Sequence, residues 1–237
     1  MPSTSSNGLV IVVPALNEEA DIEKTIRELL PVVRPPGIPF EIVAVNDGST
    51  DQTGAIIDRL AAEIPEVRAV HHDSPHGGGP SFGEVLRATQ ARYITVIPGD
   101  NAFDSESLQS VFASVGQADL IISYRTNQSE RAARRSFFSR LMRRILNAMF
   151  GLNLADYHSV VIYPATKLRE LHLKSEGYSY QIEALISLIK GGCNIKQVPV
   201  SLNLEIPGRS RAFNFKIMRQ LALTSVGLFV RYQLRRA

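Results

Sequence analysis

An aspartate at the mouth of a buried strand is the most chemically suggestive feature of this 237-residue chain. Residues 93–97 (Tyr-Ile-Thr-Val-Ile) form a short β-branched apolar run, the pattern of a strand covered on both faces. Pro98-Gly99 must end its ladder, and Asp100 follows at once. In an open α/β sheet, ligands bind beyond the carboxyl ends of the strands, so this carboxylate is expected over a pocket. There it suits a divalent cation bridged to a diphosphate, because hard cations take oxygen ligands. Taken alone, Pro-Gly-Asp-Asn also reads as an ordinary turn.

Two other stretches carry chemistry. His71 to Gly83 is a glycine-rich loop entering a helix at about Phe82. Its backbone, Gly78 included, can approach a ligand closely and offer amides to an anion. Its three histidines invite a metal reading, but His71 and His72 are adjacent and point opposite ways in an extended chain, which argues against one. Between Arg125 and Arg144 stand seven arginines and a single acid, Glu130. Such a cluster is commonly a solvated face, yet an all-arginine one also suits phosphate groups or an anionic membrane.

The elements that must hold these residues alternate. Leu9 to Val13 reads as a strand closed by Pro14, and Asn17 as the cap of a helix with Glu18 and Glu19 in its first turn. Glu41 to Val45 and Val67 to Val70 read as further strands. A helical stripe lies between them, preceded by a turn (Asn46 to Asp51) in which Asp51 reads as a helix cap. After Asp100, 105–114 reads as a helix and Asp119 to Ser123 as a strand. From Phe137, apolar residues fall on one helical face, with Arg140, Arg143 and Arg144 on the other. A strand over 160–163 follows Asp156-Tyr157-His158-Ser159. Tyr180 to Lys190 reads as a helix with Glu183 on its polar side, and Ile195 to Leu204 as an edge strand interrupted by Pro199. The chain closes on a helix over 214–233, apolar with basic ends. This alternation predicts an α/β fold with a mostly parallel sheet flanked by helices and C-terminal amphipathic helices. The expected organisation is a frayed head over 1–8, one domain over 9–213, and an amphipathic helix over 214–237.

Composition is ordinary for a globular protein: 44% hydrophobic, 21% charged, net charge +3. The single cysteine, Cys193, rules out an internal disulfide and reads as a buried structural thiol. No run of 18 apolar residues would span a bilayer, and the first eight residues lack the pattern of a signal peptide. The expectation is a cytoplasmic protein. The arginine-rich and C-terminal helices either cover a core or lie in a membrane interface.

Val10 to Glu19 (Val-Ile-Val-Val-Pro-Ala-Leu-Asn-Glu-Glu), then Val45 to Asp51 (Val-Asn-Asp-Gly-Ser-Thr-Asp), then Asp100 after its strand, occur in the order and spacing of the family-two inverting glycosyltransferases of the Rossmann-like GT-A fold, which the first half of the chain resembles. In the second half, 123–125, 156–159, 181–183, 198–200 and 208–211 are similar to the branch of dolichol-phosphate mannose synthases and polyprenyl-phosphate sugar transferases. The resemblance implies a nucleotide-diphospho-sugar donor, with Pro14, Ala15, Leu16 and Glu18 lining the nucleoside pocket and Asp47 on the base. Asp100 would hold a divalent cation (Mg2+ or Mn2+) on the diphosphate. This chain departs from the family pattern at Pro98, where an acid is usual, and at Ala102, where close relatives carry a polar metal ligand; Asp104 is the candidate substitute. It also has Glu205 in place of an arginine and Val160 in place of a glycine.

Transfer from such a donor needs stabilisation of the departing diphosphate and an aligned nucleophile. A hydroxyl acceptor requires a general base, whereas a polyprenyl phosphate arrives ionised and needs only positioning. Arg125, Arg131 and Arg134 are the candidate forks for that phosphate, with Arg209 and Arg211 closing from the C-terminal side. The favoured reading is therefore sugar transfer to a polyprenyl phosphate with inversion, by a protein peripheral on the cytoplasmic face of a membrane. A transferase acting on a saccharide hydroxyl and a catalytically silent nucleotide-sugar-binding protein are the alternatives. Nucleic acid is not an expected partner, because the arginines lack interleaved aromatics and no docking motif is present.

Overall fold

The computed structural model describes residues 7–127, 133–171, 173, 178–203 and 215–234, with backbone alone at 133–138, 178–179, 215–222 and 233–234. In chain order its elements are β1 (Leu9–Ala15), α1 (Ile22–Val33), β2 (Phe40–Asn46), α2 (Thr53–Glu63), β3 (Val67–His71), α3 (Gly78–Ala88), β4 (Tyr93–Val96), α4 (Ser105–Phe112) and β5 (Leu120–Arg125). There follow α5 (Ala133–Phe150), β6 (Val161–Pro164), α6 (Ala165–Glu170), α7 (Tyr178–Lys190), β7 (Ile195–Val200) and α8 (Phe215–Leu234). The strands make one sheet in the order β3-β2-β1-β4-β6-β5-β7. β1 to β4 are parallel, and β5 and β7 point the same way. β6 runs against both its neighbours.

Side-chain alternation explains why the strands read as continuous apolar runs. On β1, Leu9, Ile11, Val13 and Ala15 enter one core while Val10 and Val12 enter the other; β2 divides Ile42 and Ala44 from Val43 and Val45 in the same way. Helices α1, α2 and α4 close the first core; α3, α6, α7 and parts of α5 and α8 close the second, where Cys193 is also buried. β4 follows the same rule, and its one polar member, Thr95, is fully buried with its hydroxyl donated to the Val161 carbonyl at 2.8 Å.

Several local expectations are corrected. β1 runs through Pro14 to Ala15. The Pro14 carbonyl accepts from Gly99 N at 3.1 Å, so its ring nitrogen faces the same side, past the last β1–β4 pair Val12–Val96, where the strand end tolerates one missing N–H. α3 starts at Gly78, not Phe82, because Pro80 falls in its first turn, where a missing N–H is tolerated. Asn17 caps nothing: α1 begins at Ile22, after a turn in which the Glu18 carbonyl accepts from both Asp21 and Ile22. Pro199 does lie on the edge strand. Its neighbour Val200 turns its carbonyl to Thr126, so the proline ring nitrogen faces the open side.

The two amphipathic helices bury less than their apolar content suggests. On α5, Leu146 and Phe150 are buried, but Leu141 and Ile145 are 43% and 44% exposed, beside exposed Arg140 and Arg144. Arg143 turns back to donate to the Ala155 carbonyl at 2.8 Å, so it does not share the outer face. On α8, Leu228 is buried, while Leu223, Val226 and Val230 stand 65%, 56% and 48% exposed on one stripe. Glu183, expected on a polar face, is only 2% exposed and lies 3.6 Å from Arg231 of α8. No helix among the described residues is long and apolar enough to cross a membrane.

Candidate active site

Because β1, β2, β4 and β5 are parallel, their carboxyl ends reach one edge of the sheet. Since β6 is reversed, the segment before it, Asp156 to Ser159, arrives at that same edge. The candidate residues of both halves of the chain are thereby gathered on one rim.

The first two motif loops are stitched together. Asn17 N donates to Ser49 Oγ (3.0 Å), Thr50 N to Asn17 Oδ1 (2.9 Å) and Glu18 N to Thr53 Oγ1 (2.9 Å). Glu19 N and Gln52 N donate to the carboxylates of Asp51 and Glu19, at 3.2 and 2.9 Å. Asn17 adopts φ +55°, a conformation that asparagine tolerates better than most residues. Asp51 is expected to cap α2, but the cap position is Gln52; Asp51 stands one residue earlier and accepts from Thr53 N at 2.9 Å across the turn. Burial works to raise its pKa, but its hydrogen bonds from Thr53 and Glu19 hold it below the usual carboxylate value. Pro14, Ala15, Leu16 and Glu18 thus line a braced turn beside Asp47, whose amide donates to the Ala15 carbonyl at 2.9 Å.

Asp47 is buried and is the anchor of the β3–α3 loop. It accepts from His76 N (2.9 Å) and Gly77 N (2.7 Å), and its Oδ1 lies 2.8 Å from His72 Nδ1. The other ring nitrogen of His72 lies 2.9 Å from Glu84 Oε2, so both nitrogens face carboxylates and both donate when the ring is protonated. Burial works to lower the His72 pKa, yet its bonds to Asp47 and Glu84 carry it above the ordinary histidine value. Burial likewise works to raise Asp47, and its hydrogen bonds with His72, His76 and Gly77 outweigh that and depress it. Gly48 is indispensable to this packing. Its φ is +74°, and a Cβ there would stand 2.6 Å from the Ser74 carbonyl carbon.

Asp100 stands half-buried where expected, at the end of β4. Gly99 before it is tightly enclosed: a Cβ would meet Ile22 Cδ1 at 3.0 Å and Ala15 Cβ at 3.1 Å, so its neighbours would have to give by a few tenths of an ångström. Thr25 Oγ1 holds the Gly99 carbonyl at 3.1 Å, and Asp100 Oδ1 accepts from Ala102 N at 3.2 Å. Asp104, the candidate substitute ligand, has one carboxylate oxygen engaged elsewhere. It caps α4, accepting from Ser107 N at 3.0 Å, while its own amide is tied to Ser201. Among the described residues Asp100 is the carboxylate that this strand end offers, which fits a Mg2+-type ion held by one carboxylate together with substrate phosphates.

On the far side of the rim Arg125 forms a fork with Asp156: Nε to Oδ2 at 2.7 Å and Nη2 to Oδ1 at 3.0 Å. Asp156 also accepts from His158 N at 3.0 Å. Burial pushes the Asp156 pKa up, but the Arg125 pairing holds it below the usual range. Burial pushes the His158 pKa below the ordinary histidine value. Ser159 is bonded to Ser123 through their hydroxyls (2.6 Å), and its carbonyl accepts from Gln181 Nε2 (2.6 Å). Two N–H groups of Arg125 are therefore committed to positioning the 156–159 loop.

Of the residues expected from sequence, Pro14, Ala15, Leu16, Glu18, Asp47, Gly78, Asp100 and Arg125 all lie on this rim or its loops. Arg131, Arg209 and Arg211 lie outside the described residues, as does the side chain of Arg134, whose backbone belongs to α5. The sequence reading missed the grouping of His72 and His76 about Asp47, three ligand-bearing side chains whose ligand atoms lie within 4.8 Å of one another. The signal was the spacing of four between His72 and His76; the adjacency of His71 and His72 was the wrong pair to weigh, since His71 turns away to Asn46 and Asp58.

Comparison with known proteins decides the family. The sequence pattern of Glycosyl transferase family 2 matches residues 10–165, well over half the chain. The chain belongs to glycosyl transferase family 2. Among its relatives is an undecaprenyl-phosphate mannosyltransferase of Micrococcus luteus, 28% identical over 207 residues, covering 81% of this chain and 82% of the relative. Another is a dolichyl-phosphate beta-glucosyltransferase of Trichomonas vaginalis, 25% identical over 240 residues (94% of this chain, 74% of that protein). The glycosyltransferase AglD of Haloferax volcanii is 24% identical over 200 residues, 80% of this chain; the chain spans only 32% of that relative's length. Glucosyl-3-phosphoglycerate synthase of Mycobacterium tuberculosis, solved with Mn2+, UDP-glucose and phosphoglyceric acid, superposes with a TM-score of 0.71 at 19% identity, over 97% of this chain and 85% of that one. That likeness establishes the family's GT-A architecture for this sheet and its flanking helices.

Proposed function

We propose that this family 2 protein transfers a sugar from a nucleotide-diphospho-sugar to a polyprenyl phosphate, with inversion at the anomeric carbon. The observation that carries this reading is the single rim: Asp47 and the 14–18 turn at one end, Asp100 in the middle, and the Arg125–Asp156 loop at the other. In it, the 14–18 turn and Asp47 bind the nucleoside end of the donor, and Gly78 lets the start of α3 approach it. Asp100 is the residue that would hold a Mg2+ or Mn2+ ion, which when bound neutralises charge on the departing diphosphate. Arg125 and Asp156 fix the loop against which the acceptor phosphate is seated, with Arg131, Arg134, Arg209 and Arg211 as its further cationic partners. An ionised phosphate attacks without a base. The names of the Micrococcus and Trichomonas relatives support this class of acceptor.

The exposed apolar stripe of α8 and the Leu141–Ile145 patch of α5 lie on helices that contain no acidic residue. Arg140 and Arg144 flank the α5 patch. We read them as an interfacial surface that brings the rim to lipid-borne acceptor, apolar side chains in the headgroup layer and arginines on phosphates.

The test is Asp100→Asn, assayed for transfer to undecaprenyl phosphate and to saccharide acceptors with several nucleotide sugars. Expected is loss of transfer with an unchanged melting temperature. Full turnover by the variant would remove Asp100 from the mechanism, and wild-type turnover on saccharides alone would replace the lipid acceptor.

A further inference from the structure

We propose that Asp47, His72 and His76 form a binding site for a borderline transition-metal ion of the Zn2+ class, separate from Asp100, with Glu84 holding His72 in the ligating orientation. Two imidazoles and a carboxylate are a nitrogen-rich set that selects Zn2+ or Co2+ over Mg2+, whereas Asp100 offers only oxygen. His72 Nδ1 already lies 2.8 Å from Asp47 Oδ1, and all three ligand atoms fall within 4.8 Å of one another. Metal–ligand bonds of about 2.0–2.2 Å require ligand atoms roughly 3.3 Å apart, so the site closes if His76 moves in by up to about 1.5 Å and the His72–Asp47 pair opens by about half an ångström. His76 can supply that movement, because its ring is exposed; it is stacked on His72 with centroids 4.6 Å apart.

The scaffold around the cluster is built. Asp47 pins the loop through the amides of His76 and Gly77, Gly48 lets Ser74 and Pro75 close on β2, and His72 N is tied to the Asn46 carbonyl at 2.9 Å. Glu84 Oε2, 2.9 Å from His72 Nε2, supplies the carboxylate–histidine arrangement that fixes a metal ligand's tautomer and leaves Nδ1 for the metal. On binding, the ion takes the place of the Nδ1 proton shared with Asp47, and that proton leaves to solvent. Any effect on turnover rests on the reading of Asp47 as a nucleoside-binding residue, whereas metal binding itself is measured independently of that reading.

The experiment titrates the full chain with Co2+, followed by its visible absorption, and then displaces it with Zn2+ in calorimetry. Expected are one equivalent bound with tetrahedral-type bands, a hundredfold or greater loss of affinity in His76→Ala, and a loss of about tenfold to a hundredfold in Glu84→Gln. Asp100→Asn should bind as the wild type does. Because His76 is exposed, its variant keeps the fold, and an unchanged melting temperature without metal checks this. Absence of saturable uptake, or uptake indifferent to both His76→Ala and Glu84→Gln, overturns the proposal.

Discussion

Replacing Arg125 by methionine removes the cationic half of a pair whose acid is buried. Asp156 is 6% exposed and the Arg125 side chain 18%, and the fork makes two bonds of 2.7 and 3.0 Å. Breaking a buried pair by deleting one partner costs about 3–5 kcal/mol, because the remaining charge is stranded, and the partial exposure of Arg125 favours the lower end. In a chain of this size about 3 kcal/mol corresponds to a fall in melting temperature of roughly 6–12 °C. The sign of the pH dependence follows from the depressed pKa of Asp156 in the folded state. Its stabilisation is full above the unfolded value of about 4 and drains away as pH falls through the lower folded value. Wild type should therefore lose stability below about pH 4, and the gap between wild type and Arg125→Met should narrow there. Arg125→Lys retains charge but not the fork, so it should recover only part of the stability and none of the loop geometry, raising the KM for the acceptor more than for the donor. Thermal melts from pH 3 to 8 with acceptor and donor kinetics at pH 7 check this. A methionine variant as stable as wild type at neutral pH, or a lysine variant with wild-type acceptor KM, refutes the positioning role.

Gly48→Ala combines a left-handed backbone with a Cβ 2.6 Å from main chain that cannot yield cheaply. A cost of about 2 kcal/mol or more is expected, seen as a melting-temperature drop of at least roughly 4 °C together with weaker nucleotide binding in calorimetry. The double variant Leu223→Ser, Val226→Ser, at positions 65% and 56% exposed, should leave the melting temperature within about a degree of wild type, since surface changes cost little. It should lower co-sedimentation with anionic vesicles by about tenfold or more, given roughly 1.5–3 kcal/mol for a fully buried aliphatic side chain. Equal vesicle binding by the variant would remove α8 from the membrane face.

Much of the rim was legible because its signals are local. An apolar run ended by Pro98-Gly99 and followed by Asp100 declares a strand end and a carboxylate within a few residues, and Asp47 and Asp51 sit in a comparably plain strand–turn–helix passage. What escaped was the choice of partner for each polar group, which is made across tens of residues. Asn17 carries the side chain of a helix cap, but Thr50 lies within its reach and takes the bond instead. Glu183 belongs on the outside of α7 by periodicity, and α8 lays Arg231 over it. Asp104, read as a candidate metal ligand, also serves α4 as its cap.

The reversed strand shows most clearly why such choices lie beyond local pattern. β6 has four residues, Val161–Pro164, and their apolar content is the same whichever way the strand points. Direction is settled by β4 on one side and β5 on the other, and only the antiparallel choice brings Asp156 to the carboxylate-bearing edge, within 2.7 Å of Arg125. Had β6 run with its neighbours, the 156–159 loop would lie at the opposite edge, some four residues or about 13 Å away along the strand. Arg125 would then face the rim with its fork uncommitted, as a direct phosphate ligand. The orientation of one short strand thus gives Arg125, read from sequence as a phosphate fork, the added task of holding the loop beside the rim, which is why acceptor KM is the quantity expected to move when that residue is changed.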